Sequence, residues 1–156
     1  MKAPSGWTRS RQVVVGFDQS PQSIAALRWA AAYVAGQDAL LRIVHVRDLM
    51  DAELFSAAAV AESVAADERA VVTRRVTEAI GARTPELDWQ IEALRGHVGP
   101  TLVCAADQAD LLVVGTGAHT GLRRLAAGSV GHYCLSHAHC PVVAVPAQPH
   151  ALAESS

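Results

Sequence analysis

Gly115, Gly128, Ser129 and Asp18 are residues whose types and settings suit chemistry on a ligand rather than packing alone. Gly115 closes an apolar run, residues 111–114 (LLVV), and opens a small, glycine-containing, basic loop that reaches Ala127. Gly128-Ser129 then opens a segment in which Val130, Tyr133, Cys134 and His137 fall at helical spacing, up to a stop at Pro141. Strand, glycine loop and helix start, in that order, make a place for an anion. Glycines let the backbone come close, and the free N–H groups and positive dipole end of the helix hold negative charge. Asp18 follows another apolar run, VVVGF at 13–17, and offers a carboxylate acceptor at the end of that strand.

Other chemistries find less support. His45 lies inside an apolar run and reads as a satisfied histidine of the core or of a pocket edge. His97 follows Gly96 in a loop, and His132, His137 and His139 lie on or after the last helix, where cationic side chains suit the dipole. Ser129 with His132 has no third, orienting partner and is no triad. The loop lacks the Lys-Ser/Thr pair of the large NTPase class. Arg123-Arg124 reads first as a solvated face. Cys104, Cys134 and Cys140 lack metal-ligand spacing, so no metal is expected, and their odd number suits reduced thiols in a cytoplasm.

The elements that must position these groups alternate along the chain. The run at 13–17 is too apolar for a half-exposed strand. Ser20 caps a helix with Pro21 at its first position; Ile24, Leu27, Ala31 and Val34 form its buried stripe, and Gly36 stops it. A second strand spans 40–46 (LRIVHV with a leading Leu). An Ala-rich helical segment lies between Ala52 and Gly81, with Leu54, Ala58, Ala61, Val64, Val72, Val76 and Ile80 recurring at helical steps. Residues 87–94 alternate in part and suit an edge strand. A helix carrying Leu102, Val103 and Ala106 leads to the 111–114 strand, and residues 142–145 (VVAV) form the fifth.

Five strands alternating with four helical segments make an α/β fold: a single-domain, open five-stranded parallel sheet, Rossmann-like, with helices on both faces. With strand order 3-2-1-4-5, the winding reverses between strands 13–17 and 111–114, where such sheets bind ligands. Asp18 and the Gly115 loop then face one another across one crevice. Residues 1–11 read as a disordered leader, 12–147 as the domain and 148–156 as a polar tail.

Composition bounds the rest. The chain has 156 residues, 51% of them hydrophobic, enough for a substantial core and against disorder of its body. A net charge of −2 supplies no basic surplus for nucleic acid. No apolar run approaches the roughly 20 residues that span a membrane, and the first twelve residues lack the apolar centre of a signal peptide.

With these pieces in line, the chain resembles the universal stress protein family from about residue 13 to residue 146. VVVGFDQSPQSIAALRWA, LRIVHV and ADLLVVGTGAHTGLRRLAAGSVGHYCLSHAHCPVVAVP carry the resemblance. ATP-binding members show Gly, two residues, Gly, nine residues, then Gly-Ser or Gly-Thr. Gly115, Ala118 and Gly128-Ser129 keep that spacing, with alanine at the second glycine. Gly131 stands where several binders carry a hydroxyl.

The resemblance implies that Asp18 contacts adenine and that the backbone of Val46 meets the same base. It implies Gly115 and Ala118 along the ribose and phosphates, with Gly128, Ser129 and Val130 on phosphate oxygens. The cofactor expected is ATP, with or without magnesium. The role implied is a cytoplasmic stress-response regulator or sensor with at most slow hydrolysis, because no general base or catalytic set can be assigned. A homodimer through the last strand, Val142 to Val145, is expected, together with a protein partner of unknown identity. The alternative is a nucleotide-free dimeric interaction module of the same fold, which Ala118 favours. A nucleotidyl-transfer or hydrolase activity in the same crevice stands third.

Overall fold

A computed structural model describes residues 10–47, 58–116 and 123–147. The strands are β1 (Arg11–Gly16), β2 (Ala39–Arg47), β3 (Asp88–Arg95), β4 (Leu111–Thr116) and β5 (Val142–Pro146). The helices are α1 (Pro21–Val34), α2 (Ala58–Ile80), α3 (Val98–Ala105) and α4 (Arg123–His137), with a 3-10 turn, Gly81–Glu86, after α2. The strands form one parallel sheet in the order β3-β2-β1-β4-β5. The expected order and fold class are those observed.

Alternation along the strands sorts the core into two layers. Val13, Val15, Leu41, Ile43 and Val113 face α1 and α2, where Leu27, Ala31, Val34, Val72, Val76 and Ile80 are buried against them. Val14, Val44, Leu112 and Val114 face the other way, onto Leu102 of α3 and Cys134 of α4. Burying each such Val or Leu contributes about 1.5–3 kcal/mol. These two layers hold the carboxyl ends of β1, β2 and β4 rigidly side by side.

The ends of α1 follow from its sequence. Ser20 is the N-cap, its hydroxyl accepting from the Ser23 N–H at 3.2 Å, and Pro21 occupies the first turn. Such a cap is worth about 1 kcal/mol. Gly36, at φ 75°, takes the left-handed conformation that ends a helix, and Gln37 donates back to the Val34 carbonyl. Ile24 of the expected stripe is only partly buried.

Several boundaries differ from expectation. β1 starts at Arg11, whose Cα pairs with Ala39, so pairing reaches into the stretch read as leader. β4 does not stop at Gly115 but runs to Thr116, because β5 continues beside it: Gly115 pairs with Val145 and Thr116 with Pro146. The segment expected from Ala52 is helical from Ala58; Leu54 lies outside the described residues. The last helix starts at Arg123 rather than at Gly128, since Arg, Leu and Ala are strong helix formers and carry the helix five residues further back.

Candidate functional site

The strands turn away from each other between β1 and β4, and a cavity of about 260 Å³ lies there, at their carboxyl ends. Gly16, Phe17 and Asp18 bring β1 to it, Val44 and Val46 bring β2, and Val114 and Gly115 bring β4. Ser20, Gln22 and Ser23 of the α1 start form one wall; Val98, Leu102 and Val130 form the other. The site is mostly apolar, with its polar groups gathered at one end.

That polar end is built by the β1–α1 turn. The Ser20 N–H donates to Asp18 Oδ1 at 2.9 Å, and the Asp18 N–H donates to Ser23 Oγ at 3.2 Å. Ser23 Oγ in turn donates to the Ser20 carbonyl at 3.0 Å and is itself only 5% exposed. Between them Gln19 adopts φ 67°, a left-handed conformation uncommon outside glycine. The turn is therefore strained at one residue and tied at the two on either side. Asp18 stays solvent-exposed enough to meet a ligand.

Burial alone would push the Asp18 carboxyl up, but hydrogen bonds from Ser20 and Ser23 outweigh it and hold the group below the ordinary aspartate value. Asp18 is thus an ionised acceptor at neutral pH and, among the described residues, the one carboxylate lining the cavity. An apolar slot closed at one end by an ionised carboxylate suits a flat heteroaromatic ring bearing an amine donor. The residues present fit an adenine base.

Four of the seven expected site residues, Asp18, Val46, Gly115 and Val130, line this one cavity. Ala118 lies outside the described residues. Gly128 and Ser129 lie within α4, five residues or more after its start, so their N–H groups are not those that a first turn leaves free. Gly115 has a packing duty as well: a Cβ there would lie 2.5 Å from the Gln22 backbone.

Ser20, Gln22, Ser23, Val98 and Leu102 were not expected at the site. Ser20 was legible as a cap, and a serine three positions on was a signal of the tied turn; nothing local pointed to Val98.

The described histidines lie elsewhere. His45 has its Nδ1 on the Phe17 carbonyl and its Nε2 on Glu68, each at 2.9 Å. This is the satisfied state expected for it. His97 caps α3 without a side-chain hydrogen bond and does not line the cavity. His137 stacks on Tyr133, and His139 meets Asp107 at 2.8 Å. Among the described residues no three His, Cys, Asp or Glu side chains are grouped to hold a metal ion, and no helix is long and apolar enough to cross a membrane.

A doubly wound parallel sheet with its cavity at the winding reversal defines the class. Within it the match is specific: residues 9–146 fit the model of the universal stress protein family, and the chain belongs to that family. A universal stress protein of Mycolicibacterium smegmatis is 31% identical over 139 residues, 85% of this chain and 47% of the relative. The chain spans about half the length of such mycobacterial relatives.

Among solved structures, a universal stress protein in complex with cAMP superposes with a TM-score of 0.64 at 23% identity, covering 88% of this chain and 98% of that one. A universal stress protein of Archaeoglobus fulgidus in complex with dAMP gives 0.60 at 18% identity, covering 86% and 97%. At those identities the likeness concerns the fold.

Proposed function

We propose that this chain binds an adenine nucleotide in the cavity at the winding reversal and acts as a cytoplasmic stress-response regulator or sensor. The observation that carries the reading is the convergence of Asp18, Val46, Gly115 and Val130, from four separate elements, on one cavity with one ionised carboxylate. The cAMP and dAMP complexes of proteins with this fold support it. Asp18 accepts from the base amine, Val46, Leu102 and Val114 pack on the ring, and the phosphates lie toward Gly115 and α4. ATP, with or without magnesium, is the form favoured by the spacing of Gly115, Ala118 and Gly128-Ser129. Turnover is slow at most, because Asp18 is committed to the turn and, among the described residues, no second acid or base lines the cavity.

Native mass spectrometry of freshly purified protein tests this, followed by calorimetric titration with ATP and AMP. A co-purified adenine nucleotide, or saturable binding, is expected. Protein that carries none and binds neither would move the reading to a nucleotide-free dimeric interaction module. The start of α4 at Arg123 favours that second reading, since it commits the Gly128 and Ser129 N–H groups to the helix.

A further inference from the structure

A second concavity, of about 160 Å³, opens on the opposite face of β2, between that strand, β3 and α2. Side chains alternate along a strand, so His45 and Arg47 face this side while Val44 and Val46 face the first cavity. The two sites share a strand and no lining residue.

Its rim is cationic. Arg47, Arg69 and Arg95 line it, and Glu68 is its one carboxylate. Both Glu68 oxygens are engaged: Oε1 with His45 Nε2 at 2.9 Å and Oε2 with Arg47 Nε at 3.0 Å. Among the described residues neither Arg69 nor Arg95 has a carboxylate partner. Among the described residues, three guanidiniums against one carboxylate leave two positive charges over the opening.

Its floor is apolar, formed by Val72, which is buried, and by the half-buried Ile91, both packed on this side of the sheet.

We propose that this concavity is a second ligand site, for a small phosphate monoester with an apolar body. A phosphate monoester carries about −1.5 to −2 charges at neutral pH, which matches the two uncompensated cations. Its oxygens suit the planar fork of a guanidinium, and Arg69 and Arg95 approach from separate elements, α2 and β3. The apolar body rests on Val72 and Ile91. A monocarboxylate would leave one cation unmatched, and free phosphate would leave the floor uncovered.

Phenyl phosphate and inorganic phosphate, titrated at millimolar concentration into nitrogen-15-labelled protein, test the site. Phenyl phosphate is expected to bind more tightly than inorganic phosphate and to shift the amides of Arg47, Ala93 and Arg95. Arg69→Gln and Arg95→Gln should each weaken it about ten-fold, as loss of a charged hydrogen bond does, with the remaining spectrum unchanged. Three results would overturn the proposal: no saturable shifts, equal affinity for the two probes, or shifts centred on Gly16 and Gly115 that survive both substitutions.

Discussion

Gly115 of β4 stands so close to Gln22 of α1 that a Cβ on the glycine would lie 2.5 Å from both the carbonyl carbon and the carbonyl oxygen of Gln22. Neither atom belongs to a flexible side chain, so the backbone itself would have to move. The contact presses the start of α1 against the end of β4, where Gln22 and Gly115 both line the cavity. Gly115→Ala is expected to destabilise the fold by about 1–3 kcal/mol through overpacking, read as a lower midpoint in urea denaturation. An unchanged midpoint would mean that α1 yields freely there and that the glycine serves the ligand alone.

Asp18 serves both a turn and a ligand, and two substitutions separate the roles. Asp18→Ala removes the acceptor for Ser20 and the charge together. Asp18→Asn keeps an oxygen for the Ser20 N–H at 2.9 Å but abolishes the charge. Both should weaken adenine nucleotide binding about ten-fold or more, since a hydrogen bond to a charged group is worth about 1.5–3 kcal/mol. Only the alanine should also lower the melting temperature. Calorimetric titration beside thermal melts checks this, and affinities equal to wild type would remove Asp18 from the site.

Much of this arrangement was legible because each inner strand is an apolar run buried on both faces, and because helices alternate with strands. Residues 13–17 and 111–114 could be read as neighbours at the winding reversal for that reason, and with them Asp18 and Gly115 as cavity residues. The edge position of β3 was legible in the partial alternation of Leu87, Trp89 and Ile91 with polar residues.

What escaped depends on distance through space or on competing local signals. Gly128 looked like a helix boundary, yet the helix formers Arg123 to Ala127 before it extend α4. The Gly115–Gln22 contact joins residues far apart in sequence, so Gly115 was read for the ligand and not for its packing against α1. Leu102 was readable as buried, but no periodicity says that its partner is a cavity.

At the amino end of the sheet, Arg42 grips Glu92 with two bonds, Nε to Oε1 at 2.7 Å and Nη2 to Oε2 at 2.9 Å, and gives Nη1 to the Ala105 carbonyl. The Arg42 hydrogen bond is the main cause that holds the Glu92 carboxyl below its ordinary value of 4.5, against the upward push of burial. A depressed carboxyl adds stability that is fully present above the unfolded value and is lost as pH falls through the folded one. Glu92→Gln should therefore cost about 1–2 kcal/mol at neutral pH, and the gap to wild type should close well below 4.5. Urea denaturation at both pH values decides it; a gap constant with pH would mean that the ion pair contributes packing rather than charge.

The last prediction concerns assembly, and it comes from the unlike edges of the sheet. The β3 edge carries Asp88, Gln90 and Glu92, charged and polar groups of the kind that discourage pairing with another sheet. The β5 edge carries Val142, Val143, Ala144 and Val145, all left half exposed in the single chain; among the described residues Pro146 alone blunts it. Such an edge calls for a cover, and a second copy of the same strand, antiparallel about a two-fold axis, supplies one. Light scattering over a dilution series is expected to give twice the chain mass of 16.4 kDa. Val143→Lys should halve that mass, and Ala144→Pro, which removes a backbone donor from the open edge, should act in the same direction. Circular dichroism must first show both variants folded, because Val143 also packs against the core beside α1. A wild-type particle of single-chain mass at every concentration, or a folded Val143→Lys variant that stays at twice that mass, would rule out pairing through β5.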